Sequence, residues 1–306
     1  MDQTRFEEIL NQHIFNPEEK ATLLRKIAQN PDRYIGIFRS TAPRLKLFQN
    51  LLQSREIRFG DGMEEVISEL LAEKGFIHQP KRLPTSADEE KSCDQYFFSP
   101  NILKYYLVEQ KVRDDHDSSK KKGQFKNFED KIVYLKSIHG STLIGVMYFI
   151  DPSLKKNRHY YEAELSKLSS ELDVPLYLFY DGELFDFLEI PDVWQFLKLA
   201  LPKWQQSVPV NIEFDYDNDL EESWRVIQTV EIGVWYKLIM NDALWEGQIV
   251  QALFSKGAVL KLLLNTFNEQ GTSVVKIGRH KVAYAELASL LEKRIRAAYG
   301  HSLNSS

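Results

Sequence analysis

The sequence predicts an α/β protein with a mixed central sheet flanked by helices. Between residues 92 and 180, short runs rich in aromatic and β-branched residues alternate with longer segments of helical periodicity. The run 143–150 is apolar on both faces, which is typical of a strand buried inside a sheet. Helical periodicity prevails before and after this stretch, so we expect a helical N-terminal and a mostly helical C-terminal addition.

The elements of the central stretch follow a definite order. Gly60, Asp61 and Gly62 predict a turn, and a helix over 63–74 with apolar residues at helical spacing ends at Gly75. The patterns that follow predict strands over 95–99 and 103–112, a basic helix over 121–137, a strand over 143–150, a helix over 160–172 and a strand over 176–180. Strands that alternate with helices in this way predict mixed pairing.

The chain divides into three predicted regions. These are a helical N-terminal region over 1–60, a core over 61–205 and a mostly helical C-terminal region over 206–306. In the last region we predict helices over 224–240, 245–254, 259–267 and 284–299, with a short hairpin around Gly278.

Composition excludes several classes of protein. With 27% charged and 43% hydrophobic residues, the chain of 306 residues has the make-up of a folded globular protein. No apolar run has the length of a membrane span, and the first residues lack a signal-peptide pattern, which predicts a cytoplasmic protein. Cys93 is the single cysteine, so neither an intrachain disulfide nor a cysteine-built zinc site is possible.

Three charged residues stand where a buried sheet would not be expected to carry them. Because side chains alternate along a strand, Glu109 and Lys111 project from the same face. If Asp94 begins the neighbouring antiparallel strand, its carboxylate meets that of Glu109 at one end of the sheet. Buried charges need partners or a metal ion, and two carboxylates with water and phosphate oxygens suit Mg²⁺. The alternative is a strand-end salt bridge between Glu109 and Lys111 on an ordinary α/β domain.

These residue types have the chemistry that phosphodiester hydrolysis requires. A Mg²⁺ ion on Asp94 and Glu109 can neutralise charge at phosphorus and lower the pKa of a water molecule. Lys111, beside the ion and the scissile phosphate, can orient the nucleophile or help to deprotonate it.

The arrangement of Asp94 followed by Glu109-x-Lys111 on adjacent strands resembles the PD-(D/E)xK nuclease superfamily, and most closely its type II restriction endonucleases. The resemblance covers residues 63–180 and implies that superfamily's nuclease core. It implies that Asp94 and Glu109 are metal ligands and that Lys111 is the catalytic lysine. Many members carry a further acid on the preceding helix, for which Glu64, Glu65 and Glu69 compete; we take Glu65. Cys93 stands where the motif has proline, which weakens the match.

Two basic segments are candidates for DNA binding. The polar loop after Lys111 resembles that of some restriction enzymes, and its phosphate-binding candidates are Arg113, Lys120, Lys121, Lys122 and Gln124. The predicted C-terminal hairpin exposes a basic tip whose candidates are Lys276, Arg279 and Lys281, able to reach a groove or a phosphate. The region over 206–306 is therefore expected to serve DNA recognition or dimerisation.

The leading hypothesis is a type II restriction endonuclease that makes Mg²⁺-dependent double-strand cuts at a short DNA sequence. Because one active site cuts one strand, the hypothesis predicts a homodimer, with a cognate DNA methyltransferase in the same cell. A repair or junction-resolving nuclease of the same superfamily and a non-catalytic DNA-binding module are the alternatives. Sequence-specific cutting of linear duplex DNA separates the first hypothesis from both.

Overall fold

The computed structural model describes residues 1–15, 18–35, 41–86, 89–209 and 214–300. The chain forms two units. The first comprises Met1–Ile14 and Ile57–Val208, and the second Phe15–Glu56 and Pro209–Ser306.

The strands are β1 (Ile77–His78), β2 (Arg82–Ser86), β3 (Glu89–Ser92), β4 (Gln95–Ser99), β5 (Lys104–Lys111), β6 (Leu143–Phe149), β7 (Leu176–Tyr180), β8 (Val274–Ile277) and β9 (His280–Ala283). The helices are α1 (Gln3–Ile14), α2 (Glu18–Gln29), α3 (Pro43–Glu73), α4 (Ser118–His139), α5 (Arg158–Leu172), α6 (Glu183–Phe187), α7 (Pro191–Ser207), α8 (Leu220–Ile227), α9 (Ile232–Met240), α10 (Asp242–Glu246), α11 (Ile249–Leu253), α12 (Ala258–Gln270) and α13 (Tyr284–Tyr299). Short 3-10 turns occupy Pro31–Arg33 and Gly140–Thr142.

A mixed sheet is the centre of the first unit. Within the described residues, five strands form it in the order β1-β4-β5-β6-β7. Strand β4 runs antiparallel to β5, whereas β6 is parallel to both of its neighbours. The predicted α/β class with a mixed central sheet flanked by helices is therefore confirmed.

Helices cover both faces of this sheet. On one face, α4 and α5 bury Phe128, Ile132 and Tyr161 against Leu107 and Met147 of the central strands. On the other, α3 lies against β4, where the Ser68 hydroxyl donates a hydrogen bond of 2.8 Å to the Gln95 side chain. The central strands are buried on both sides, which explains the continuous apolar run of β6.

The turn predicted at residues 60–62 is wrong, because this stretch lies inside α3. Gly62 serves a close approach between helices instead. A Cβ atom on it would lie 3.0 Å from Cδ2 of Leu10 in α1. Two glycines around an aspartate are typical of turns, but here the small residue allows helix packing, and the predicted helix start at Met63 falls in the middle of a long helix.

Other boundaries also differ from the prediction. The helix expected over 224–240 is two helices, α8 and α9, and the one over 245–254 is α10 and α11, interrupted at Gly247 and at Gln248, whose φ is 60°. The hairpin of β2 and β3 was not predicted, nor were α6 and α7. Pro202 lies inside α7, where a proline normally signals the end of a helix.

The second unit is mostly helical. Its core joins residues from both of its chain segments, among them Leu24, Leu47, Trp235 and Phe254. Residues that the sequence assigned to a separate N-terminal region thus pack with the C-terminal helices, although the division into three functional regions stays a prediction. The expected hairpin is present as β8 and β9, which turn at Gly278 with a φ of 60°.

None of the described helices combines the length and the apolar character that crossing a membrane requires.

Candidate active site

The pairing of β4 with β5 brings Asp94 opposite Glu109. Gln95 is paired with Val108, so the residue before β4 stands across from the residue after Val108. One carboxylate oxygen of Asp94 accepts a hydrogen bond of 2.8 Å from the backbone N–H of Gln110. This bond fixes the Asp94 side chain beside the end of β5, although Asp94 itself lies one residue before the start of β4.

Asp94, Glu109 and Lys111 meet at one point. The Lys111 ammonium nitrogen lies 2.6 Å from Oδ2 of Asp94 and 2.9 Å from Oε1 of Glu109. Glu109 is buried, with a relative exposure of 5%, while Asp94 and Lys111 are partly exposed. Because one nitrogen reaches both carboxylates, the two side chains converge on a common cation position.

A second lysine, not identified from the sequence, joins this cluster. Lys131 of α4 lies 2.7 Å from Oε2 of Glu109, and its side chain is almost fully buried. A signal was present, since a lysine at position 131 stands among the apolar Phe128, Ile132 and Leu135. Recognising it requires knowing that this helix face covers Glu109, which the sequence does not state.

Burial and charge set the protonation of the cluster. Burial, together with the nearby Glu109 carboxylate, raises the pKa of Asp94 above its ordinary value. Burial alone would also raise the pKa of Glu109, but Lys111 and Lys131 outweigh it and hold that pKa below the usual range. For Lys111, burial opposes the charged form, yet the carboxylates of Glu109 and Asp94 prevail and raise its pKa. Lys111 is therefore a charged hydrogen-bond donor at neutral pH.

The three candidate acids of the preceding helix point to different partners. Glu65 lies 2.7 Å from Nε2 of His13, and Glu69 is paired with Arg5. Glu64 is paired with Lys81, and burial raises its pKa although the hydrogen bond and charge of Lys81 oppose this rise. Of the three, Glu64 is the residue whose backbone carbonyl accepts a 2.7 Å hydrogen bond from the side chain of Gln95, the neighbour of Asp94 along the chain.

The donor set fits a divalent cation with hard oxygen ligands. Asp94 and Glu109 offer carboxylate oxygens, and the Lys111 ammonium between them marks a position where positive charge is stabilised. Mg²⁺ is commonly held by one or two carboxylates, with water and phosphate oxygens completing its coordination. In the part of the chain that the structure describes, no cluster of three or more His, Cys, Asp or Glu residues has metal-site geometry.

The loop after Lys111 is anchored by a buried carboxylate. Asp114 accepts hydrogen bonds from the backbone N–H of Asn157 (2.7 Å), from the Asn157 side chain (2.8 Å) and from the hydroxyl of Tyr180 (2.9 Å). These bonds tie the segment after β5 to the segment before α5 and to β7. They hold the chain in place between Lys111 and the start of α4.

The phosphate-binding candidates of this loop differ in their exposure and in their contacts. Lys120 and Lys122 are exposed in the first turns of α4, while the Lys121 ammonium lies 4.5 Å from the centre of the Tyr160 ring. The Arg113 side chain is half exposed and lies 3.6 Å from an Asp151 carboxylate oxygen.

Gln124 differs from these residues. Its carbonyl oxygen accepts a 3.0 Å hydrogen bond from the Tyr161 hydroxyl, and its amide nitrogen is buried. This position between α4 and α5 does not favour contact with DNA.

The basic hairpin tip lies in the second unit. Lys276, Arg279 and Lys281 are all exposed there, together with His280. Lys276 is paired directly with Lys281 across the two strands. Like charges opposite each other are unfavourable within a protein, so this arrangement suits a surface that meets an anionic partner.

Comparison with protein families identifies the class of the protein. A model described as type II restriction endonuclease, HinfI, matches residues 2–83 and 76–205, about two thirds of the chain. The protein is thus a type II restriction endonuclease, a site-specific deoxyribonuclease that acts on DNA, and the prediction of that class is confirmed. It belongs to the HinfI family of these enzymes. Among curated proteins, none matches the sequence. Type II restriction endonucleases generally depend on a divalent metal ion.

Proposed function

We propose that the protein cuts both strands of DNA at a short specific sequence by Mg²⁺-dependent hydrolysis, using a PD-(D/E)xK core. The observation that supports this most is the convergence of Asp94, Glu109 and Lys111 at the end of two neighbouring strands. The family favours a restriction enzyme over a repair nuclease or a non-catalytic module.

In this proposal the three residues divide the work. Asp94 and Glu109 hold Mg²⁺, which when bound supplies Lewis acidity at the scissile phosphate. Lys111, whose ammonium nitrogen lies within 2.9 Å of both carboxylates, donates to the attacking water or to a phosphate oxygen and neutralises developing charge. We assign the role of the extra helix acid to Glu64 rather than to Glu65, because the Glu64 carbonyl is hydrogen-bonded to Gln95, the neighbour of Asp94, whereas the Glu65 carboxylate is paired with His13 and Arg5.

The DNA interface in this proposal has two parts. Arg113, Lys120, Lys121 and Lys122 bind phosphates near the cut, because they follow the candidate site along the chain and the exposed ones extend into solvent. The hairpin residues Lys276, Arg279 and Lys281 contact DNA elsewhere in the complex. We leave Gln124 out of this interface.

The assembly follows from the chemistry of double-strand cleavage. One such site hydrolyses one strand, so a two-fold symmetric homodimer matches a palindromic DNA site. Protection of the cell's own DNA then requires a cognate methyltransferase, and both enzymes work in the cytoplasm with the DNA.

The experiment that tests this function is a plasmid digest with Asp94→Asn, Glu109→Gln and a control, Asp115→Asn. Each of the first two variants removes a carboxylate that holds the metal, and we expect cleavage in Mg²⁺ to fall by a factor of at least about 100. Asp115 is an exposed acid on the nearby loop, so its variant should cleave like the wild type.

Metal choice is tested in the same assay. Oxygen ligands predict cleavage with Mg²⁺ or Mn²⁺ and binding without cleavage in Ca²⁺. Circular dichroism confirms that each variant is folded. The proposal fails if folded Asp94→Asn or Glu109→Gln retains more than about a tenth of the wild-type rate, or if Zn²⁺ supports activity that excess Mg²⁺ does not replace.

A further inference from the structure

Lys131 is a charged residue on an apolar helix face. It lies on α4 among Phe128, Ile132 and Leu135, and only 3% of its side chain is exposed. Lysine is almost never buried to this degree unless its ammonium group is paired, because removing the charge from water is costly. The position therefore requires an acceptor inside the protein.

That acceptor is one particular oxygen of Glu109. The Lys131 ammonium donates a hydrogen bond of 2.7 Å to Oε2, while Oε1 of the same carboxylate lies 2.9 Å from Lys111. The two oxygens thus have separate partners on separate elements, α4 and β5. A carboxylate bonded at both oxygens cannot rotate about its last side-chain bond without breaking one of these bonds.

Stability alone does not account for this lysine. Lys111 already provides a cation for Glu109, so a second buried ammonium is not needed to neutralise that carboxylate. Buried ion pairs are also poor stabilisers, since well-packed apolar residues in their place are often neutral or better. An isoleucine or leucine at position 131 would continue the apolar face of α4.

We propose that Lys131 is a positioning residue of the active site, which holds Oε2 of Glu109 and leaves Oε1 as the oxygen presented to the metal ion. This inference rests on the proposed function, in which Glu109 is a metal ligand. Lys131 acts through Glu109 and is given no contact with DNA.

The proposal predicts that cation binding and catalysis respond differently when Lys131 is replaced. Removing a positive charge beside the cation position leaves cation affinity unchanged or increases it, because like charges repel. The freed carboxylate of Glu109 can then rotate, so the cation is no longer held in the geometry that the chemical step needs. A residue that only supported the fold would lower both quantities together.

The test uses full-length Lys131→Met and Lys131→Gln, with Lys126→Met as the matched control. Lys126 lies on the same helix, and its side chain is 65% exposed. Calorimetry measures Ca²⁺ affinity, and single-turnover assays measure cleavage in saturating Mg²⁺. We expect both Lys131 variants to cleave at least about 10-fold more slowly while binding Ca²⁺ at least as tightly as the wild type. Lys126→Met should match the wild type in both measurements.

Two outcomes overturn the inference. One is a wild-type cleavage rate in folded Lys131→Met, and the other is a parallel loss of rate and Ca²⁺ affinity, which marks a structural role. If Lys131→Met does not fold, Lys131→Gln decides by the same criteria, because glutamine keeps a polar group at this position while its amide nitrogen is one bond nearer the backbone than the lysine nitrogen, so the 2.7 Å bond to Oε2 of Glu109 is lost. Glu109→Gln in the same assays separates the two proposals. Wild-type cleavage by Glu109→Gln overturns the proposed function, whereas an inactive Glu109→Gln beside a fully active Lys131→Met overturns this inference alone.

Discussion

Neighbouring residues of a helix meet different surroundings, and Glu64 and Glu65 illustrate this at the residue scale. Successive side chains of an α-helix are turned by about 100°. Glu64 is therefore paired with Lys81, and its backbone carbonyl accepts a hydrogen bond from the Gln95 side chain, while Glu65 contacts His13 and Arg5. A motif that specifies an acid on this helix cannot choose between them, since both positions carry the same residue type.

The variants Glu64→Gln and Glu65→Gln test which acid assists the site. We expect Glu64→Gln to reduce Mg²⁺-dependent cleavage several-fold and to raise the Mg²⁺ concentration needed for half-maximal rate, because negative charge near the metal is lost. Glu65→Gln should leave both quantities unchanged and lower stability by at most about 1 kcal/mol, since its ion pairs are partly exposed. Metal titrations of cleavage give the answer, and a larger effect for Glu65→Gln would restore that residue as the helix acid.

At the scale of elements, Gly145 determines how closely α4 and the sheet can pack. It lies in the middle of β6, and a Cβ atom there would stand 2.4 Å from Cδ1 of Ile132 and 2.5 Å from Cδ2 of Leu176. Atoms in a close-packed core cannot approach to this extent. The glycine therefore allows the helix that carries Lys131 to lie directly on the strand next to Glu109.

Gly145→Ala should destabilise the protein by about 1–3 kcal/mol, which is typical of overpacking a core. The control is Gly123→Ala on α4, where an added Cβ meets nothing within 4 Å. That variant should gain roughly 0.5–1 kcal/mol from better helix propensity. Urea denaturation measures both, and the packing argument is wrong if the two variants shift stability in the same direction.

The first turns of α4 form the second feature at this scale. Asp117 caps the helix by accepting hydrogen bonds from the backbone N–H groups of Ser119 and Lys120. The cap orders the turn that carries Lys120 and Lys122 into solvent. Two exposed lysines on an ordered helix turn suit contact with phosphates of the DNA backbone.

Lys122→Gln should weaken binding to cognate and random DNA alike and reduce the salt slope of log K by about one. Lys136→Gln, in the last turn of the same helix, is the control and should change neither. Binding is measured in Ca²⁺ at several salt concentrations. A loss confined to the cognate sequence would mean that Lys122 contacts bases, which would contradict its assignment to phosphate binding.

At the scale of the whole molecule, the candidate active site and the basic hairpin lie in different units. The first unit contains Asp94, Glu109 and Lys111, whereas the second contains the hairpin with Arg279 at its turn. This separation favours a division of labour in which the first unit cuts the DNA and the second contributes to recognition. In such an arrangement, the recognised DNA sequence can change through substitutions in the second unit while the cutting chemistry of the first unit stays the same.

Arg279→Ala tests that division in the binding assay used for Lys122. If the hairpin reads bases, the variant should cost roughly 1–3 kcal/mol on the cognate site and little on random DNA. His280→Ala, at the adjacent exposed position, serves as the control for the hairpin itself. Equal losses on both DNA sequences would make Arg279 a phosphate contact, and no loss on either would remove it from the interface.

The sequence by itself determined the features of this protein whose signals are local. The strands β4 to β7 and the helices α4 and α5 were predicted within a few residues. Their apolar residues recur with a period of two or of 3.6, and this spacing can be read from consecutive residues of the sequence. The candidate trio of Asp94, Glu109 and Lys111 was found for the same reason, since strand alternation and a short turn place them together.

The tertiary structure decided what depends on packing between distant segments. It brought Lys131 to Glu109 over 22 positions, gave Glu64 and Glu65 different ion-pair partners, and made Gly62 a point of helix contact instead of a turn. In each case the deciding quantity is which side chains face one another across two elements. Local spacing fixes the face of one element, but the partner of that face is set by the free energy of burying the whole core.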